Sequence, residues 1–141
     1  MTFTPAELAH LQEQPIGRLA TIGPAGEPHV RPVGVHLGPD GMTIDIVGHA
    51  LATTQKWRNV IRNPLVAFIV DNVISVMPPD ARGLEIRGVA TALPGAGETD
   101  GGLSGDIIRI VPRRIVAWGL DGEGTSARDC EYSAGDDLGS A

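Results

Sequence analysis

Residues 16–47 read IGRLATIGPAGEPHVRPVGVHLGPDGMTIDIV, and this stretch decides the fold class. Ile16 to Ile22 predicts a strand, and Gly23-Pro24-Ala25-Gly26 a turn. Pro28 to Leu37 predicts a second strand. It is broken in character by Pro32, which removes a ladder donor, and by Gly34, which lets a backbone or a flat ligand come close. Gly38-Pro39-Asp40-Gly41 is another turn. Met42 to Val47 then alternates, with Met42, Ile44 and Ile46 on one side and Thr43, Asp45 and Val47 on the other. Short turns between three strands predict a meander.

Working outward, the N-terminal side carries a helix with complete start signals. Thr4 is the N-cap, Pro5 the first helical position, and Glu7 completes a capping box. Phe3 can staple onto Leu8, Leu8 and Leu11 share a face, and Pro15 stops the helix. On the C-terminal side Thr53 to Asn63 predicts a second helix, with Trp57, Val60 and Ile61 as its apolar stripe. Leu65 to Val70 is a continuous apolar run, hence a buried strand. Val73 to Arg82 predicts an irregular crossing or loop, Gly83 to Ala92 a strand, and Pro94 to Gly105 a flexible loop. Asp106 to Val111 and Arg114 to Trp118 predict the last two strands. About seven strands with two short helices over them predict a mainly β, antiparallel barrel, which buries short strands without long edges.

The 141 residues suit one domain of residues 1–119 followed by a tail. Of the net charge of −6, residues 120–141 hold −5: Asp121, Glu123, Asp129, Glu131, Asp136 and Asp137 against Arg128. That acidic, Gly- and Ser-rich stretch predicts a flexible tail. The body has no basic stripe, so nucleic acid is not an expected partner. No apolar run approaches a membrane span and no signal sequence opens the chain. A single cysteine, Cys130, suits a reducing compartment. The expectation is a soluble, cytoplasmic protein without a membrane partner.

Lys56 is the only lysine, against ten arginines. It sits in Ala52-Thr53-Thr54-Gln55-Lys56-Trp57-Arg58-Asn59, at the start of the second predicted helix. Hydroxyls, backbone N–H groups and a cation at a helix N-terminus make an anion site, typically for phosphate. A solvated helix face with one lysine by chance is the plainer alternative. The histidines His10, His29, His36 and His49 are too scattered for a metal site. His29 and His36, seven apart on one predicted strand, fall on opposite faces. No nucleophile elbow is present and Cys130 lies in the tail, so covalent catalysis finds no support. Trp118 ends the last predicted strand, where an aromatic serves core or interface.

The ordered set Gly17-Arg18-Leu19-Ala20-Thr21, Pro28-His29-Val30-Arg31-Pro32-Val33-Gly34, Gln55-Lys56-Trp57-Arg58-Asn59-Val60, Asn63-Pro64-Leu65-Val66-Ala67-Phe68 and Glu85-Ile86-Arg87-Gly88 resembles the pyridoxamine 5′-phosphate oxidase-like split-barrel family. Within it, the chain looks most like the branch that uses coenzyme F420, a deazaflavin. The resemblance covers about residues 3–119. It implies a split β-barrel of the FMN-binding type and a homodimer with the cofactor between subunits. It implies a flavin-like ring along Arg31, Pro32, Val33 and Gly34. It implies a phosphate at Thr53, Thr54, Gln55, Lys56 and Asn59. Gly48 and the other subunit's Trp118 are further implied contacts.

The activity implied is hydride transfer from the reduced deazaflavin to an unsaturated small organic substrate. No catalytic side chain is identified; His36, His49 and Tyr132 are the candidate proton donors. Two readings compete with it. One is an FMN-dependent oxidoreductase on the same fold, since one phosphate at Lys56 serves either cofactor. The other is a non-catalytic flavin- or haem-binding protein, weakened for haem by the lack of a suitably placed histidine.

Overall fold

In a computed structural model, which describes residues 2–122 and 124–131, the chain is a mainly β, seven-stranded antiparallel split barrel with two helices. The elements are α1 (Pro5–Glu13), β1 (Ile16–Ile22), β2 (Pro28–Gly34), β3 (Ile44–Ile46), α2 (Gln55–Arg62), β4 (Leu65–Ser75), β5 (Asp80–Leu93), β6 (Ile107–Trp118) and β7 (Thr125–Asp129). A short 3-10 turn, Leu51–Thr53, leads into α2.

Helix α1 starts as its sequence dictates. The Glu7 N–H donates to Thr4 Oγ1 (3.1 Å) while the Thr4 N–H donates to Glu7 Oε1 (3.0 Å). This capping box places Phe3 and Leu11 in the core. The barrel interior is filled from alternate strand positions: Leu19 of β1, Phe68 and Val70 of β4, Leu84 and Ile86 of β5, Ile108, Ile110 and Ile115 of β6. Trp57 and Val60 of α2 complete it.

The sheet order is β2-β1-β4-β5-β6-β3, with β7 also on β6. The predicted meander therefore ends after β2. Strand β3 pairs with β6, and its contact with the chain after β2 is one bridge, Leu37 to Ile44, beside an Asp45 N–H to His36 C=O bond of 2.9 Å. Pro32 cannot donate to a second ladder, so β2 stays at the edge and the barrel is split there. The bidentate Arg109–Asp45 pair, both bonds 2.8 Å, fastens β3 onto β6 at the other edge.

Four further expectations are corrected. The stretch 73–82 is the end of a hairpin, since β4 runs to Ser75 and β5 begins at Asp80. The two last predicted strands are one strand, β6, with a bulge where Gly88 of β5 faces Pro112. Gly88 is required there, because a Cβ would lie 2.4 Å from the Val111 carbonyl oxygen. Strand β4 is buried on one face only; Leu65 is 56% exposed, as is Ile61 of the helix stripe at 66%. Lastly, five residues of the expected tail form β7. It pairs with β6 from Arg114–Asp129 to Trp118–Thr125, and its Arg128 donates to the fully buried Glu7 and to the Thr2 C=O. Residues 123 and 132–141 of that tail lie outside the described residues.

Candidate functional site

The 3-10 turn and α2 cross the inner face of the β1–β2 hairpin close to the split. Thr54 caps α2, its Oγ1 accepting from the Trp57 N–H at 3.3 Å. Between α2 and the hairpin lies a cleft of about 550 Å³, with Leu19 and Thr21 of β1 as floor, His29, Val30 and Arg31 of β2 as one wall, and Thr54, Gln55 and Lys56 as the other.

Two cations meet in this cleft. Neither Arg31 nor Lys56 has a carboxylate partner among the described residues. The Lys56 ammonium has its pKa lowered below the usual lysine value, first by desolvation and then by the positive charge of Arg31. Of the first-turn N–H groups, Trp57's goes to Thr54 Oγ1 and Arg58's to the Thr54 C=O. Those of Gln55 and Lys56 have no acceptor within the helix. The arrangement can hold a phosphate or another compact anion.

The other residues expected at the site are distributed unequally. Thr54, Gln55, Lys56 and Arg31 line the cleft. The hydroxyls of Thr53 and Thr54 donate to the carbonyls of Ala50 (2.8 Å) and Leu51 (2.6 Å), so they serve the turn before the helix. Asn59 is fully buried behind the wall. Its Nδ2 donates to Thr21 Oγ1 and His29 Nδ1 (both 3.0 Å), and its Oδ1 accepts from Gln55 Nε2 (2.7 Å) and Arg62 Nη2 (3.0 Å). Every polar valence of Asn59 is used within the protein, so it orients its neighbours.

Val33 is a core residue, and Pro32 and Gly34 alternate to the opposite face of β2 from Arg31. The His36 ring lies over the Cβ side of Gly34, with Nε2 2.9 Å from where a Cβ would stand. Gly48 accepts the Ser104 N–H (2.9 Å), and His49 Nδ1 donates to the Gly102 C=O (2.9 Å); neither residue is among those lining the cleft. Trp118 lines a separate basin of about 590 Å³ with Pro79, Asp80 and Gly119. Tyr132 lies outside the described residues. Sequence reasoning missed His29 and Thr21 as lining residues. Their signal is the β1–β2 register, which sets Thr21 opposite His29 and Leu19 opposite Arg31 on one face.

The seven-stranded split barrel is the fold that the resemblance implied. The chain belongs to the pyridoxamine 5′-phosphate oxidase family, whose pattern matches residues 3–119. It is 44% identical over 133 residues to a 5a,11a-dehydrotetracycline/5a,11a-dehydrooxytetracycline reductase of Streptomyces rimosus subsp. rimosus, covering 92% of this chain and 94% of that one. Among solved structures it resembles the conserved hypothetical protein Rv2991 of Mycobacterium tuberculosis, at 25% identity and TM-score 0.66, over 84% of this chain and 86% of that one. It also resembles an F420 reductase at 25% identity and TM-score 0.60, over 80% of this chain and 98% of that one. The protein is accordingly an oxidoreductase of this fold, and these relatives suggest a small-molecule substrate and a flavin or deazaflavin cofactor.

Proposed function

We propose that the protein is an F420-dependent reductase that delivers a hydride to an unsaturated polycyclic ketone of the dehydrotetracycline kind. One observation carries the reading: Arg31 and Lys56 converge, without carboxylate partners among the described residues, at the positive end of α2. The fit is electrostatic. Desolvation and the Arg31 charge both disfavour the Lys56 ammonium, and a bound anion relieves both. The tetracycline-type reductase and the F420 reductase among the similar proteins support the choice of reaction and cofactor.

When bound, the reduced deazaflavin supplies the hydride. The chain's own residues bind and exclude water. Arg31, Lys56 and the N–H groups of Gln55 and Lys56 hold the phosphate, and Arg31–Gly34 offers the free edge of β2 to the ring. The protein works as a cytoplasmic homodimer, a reading supported by exposed apolar residues such as Leu65 and the Met77 hairpin tip, which is 85% exposed.

One observation favours FMN as the second reading. Arg58 bonds back to the Thr53 C=O (3.0 Å) and Gln55 Oε1 (2.9 Å), and Arg62 to Asn59 and the Ile22 C=O. Neither extends the anion site along the tail that follows the deazaflavin's phosphate. Titration of the purified protein with each cofactor decides. A colourless protein that binds F420 more tightly than FMN is expected, and a yellow protein carrying stoichiometric FMN overturns the proposal.

A further inference from the structure

The outer face of the sheet carries an apolar groove of about 420 Å³. It is walled by Ala20 and Ile22 of β1, Pro28 of β2, Leu65 and Ala67 of β4 and Val89 of β5. These residues alternate with the buried Leu19, Phe68 and Ile86, so they face away from the barrel interior. From the groove, β4 and β5 run on as one antiparallel ribbon that ends in the turn of residues 76–79. The 11 residues of β4 place groove and turn at opposite ends of that ribbon, on the order of 30 Å apart. The far end is apolar and exposed at Val73, Ile74, Val76 and Met77.

Charge divides along the same ribbon. Among the described residues, the charged side chains of β4, β5 and β6 have opposite charges as partners in every case but two. Asp71 meets Arg18 (4.0 Å), Arg82 meets Glu13 (3.6 Å), Glu85 meets Arg87 (3.1 Å), Arg109 meets Asp45 (2.8 Å) and Arg114 meets Asp129 (2.7 Å). The two left over are Asp80, exposed at the base of the hairpin tip, and Arg113, exposed at the wall of the groove. Arg113 is the extra residue of the β6 bulge. The register passes from Arg87–Arg114 to Gly88–Pro112 and leaves it unopposed on β5. A bulge re-aims a side chain, and this one lines the groove.

We propose that the groove receives the β4–β5 hairpin tip of a second copy of this chain, with Asp80 of each protomer set against the partner's Arg113. The inference rests on the homodimer reading and gives that dimer its contacts. A two-fold interface makes every contact twice, residue i on j and j on i. An axis between the two outer faces, crossing the middle of the ribbon, exchanges the ribbon's ends. It lays each apolar tip on the partner's apolar groove and each spare anion beside a spare cation. An axis along the ribbon would set tip on tip, groove on groove and like charge against like charge, which charge complementarity disfavours. A small apolar acid in the groove would answer Arg113 but leave the tip and Asp80 uncovered.

Sedimentation of the full chain at low salt reads the association, and the melting temperature checks that the barrel is intact. Arg113→Glu and Asp80→Arg are each expected to weaken dimerisation by about ten-fold, since an exposed pair made twice turns from attraction to repulsion. The double variant Asp80→Arg/Arg113→Glu is expected to recover most of that loss, because the pair returns with its signs exchanged. Cross-linking fixes the geometry. With a short thiol-to-thiol reagent, Leu65→Cys/Met77→Cys is expected to be captured as a covalent dimer and either substitution alone is not. The native chain, with its half-buried Cys130, gives the background. A native dimer unmoved by both single charge reversals, a double variant weaker than either single one, or Met77→Cys captured alone overturns the inference and leaves the homodimer reading standing. A native chain that sediments as a monomer overturns the homodimer reading, and the inference with it.

Discussion

At the scale of single residues, Lys56 carries its charge at the expense of the fold. Its folded-state pKa lies below its unfolded value. Carrying the charge therefore costs stability below the folded pKa, and the cost fades as pH rises through it. Two outcomes follow. Lys56→Ala should weaken cofactor binding by about ten-fold or more, the worth of a hydrogen bond to a charged group. Lys56→Gln should leave the melting temperature of the cofactor-free protein unchanged or slightly raised, as at sites where function opposes stability. Spectroscopic titration reads the first and thermal unfolding the second. A clear fall in melting temperature would mean that Lys56 supports the fold. Arg31→Ala should weaken binding likewise. It should also move the Lys56 titration up towards the ordinary lysine value, which ¹⁵N-resolved NMR of the ammonium would show.

At the scale of elements, β7 changes what the C-terminal stretch means. Arg128 neutralises Glu7, whose carboxylate is wholly buried while also completing the cap of α1. Arg128→Ala leaves that carboxylate buried and unpaired. The expected loss is about 2–3 kcal/mol, towards the low side for a broken buried pair because the guanidinium is partly solvated. The Glu7→Gln/Arg128→Met pair should recover part of it, since two uncharged partners leave no stranded charge. Truncation after Leu120 should lower the melting temperature by more than Arg128→Ala, because the ladder to β6 goes as well. Charge balance and the scarcity of large apolar residues pointed to a stretch outside the fold. They describe water-facing positions correctly, but an edge strand added to a sheet is held by backbone hydrogen bonds that composition does not report.

At the scale of the whole molecule, the outer sheet face and the hairpin beyond Asp71 leave Leu65, Val73, Ile74, Val76 and Met77 exposed. Leu65 at one end of β4 and the hairpin at the other are apolar surface that the proposed dimer would cover. Leu65→Asp should shift the proposed dimer towards monomer in sedimentation without unfolding the barrel. If the ring sits between subunits, cofactor affinity should fall with it; a monomer with native affinity would place the complete site in one chain. Screening offers a second test. The preference for F420 over FMN should shrink at high salt if the extra anionic tail meets partly exposed cations. A salt-independent preference would point to the ring instead.

Much of the architecture was legible because it rests on local rules. The capping box over Thr4–Glu7, the β1–β2 turn and the breaks at Pro15 and Pro64 are decided by residues close in sequence. The capped helix start at Thr54–Lys56 was legible for the same reason, since a cap and a first turn span few residues. What only the tertiary structure decided depends on residues distant in sequence. Strand β3 left the meander because Asp45 finds Arg109, 64 positions away, and β7 joined the sheet because Arg128 finds Glu7, 121 positions away. The site divides along the same line. Lys56 announces itself by its own chemistry, whereas Arg31, His29 and Asn59 acquire their roles only when α2 is laid across the β1–β2 hairpin. Sequence pattern reports periodicity and local bonding, while convergence of charges across a cleft depends on which elements the hydrophobic core brings together.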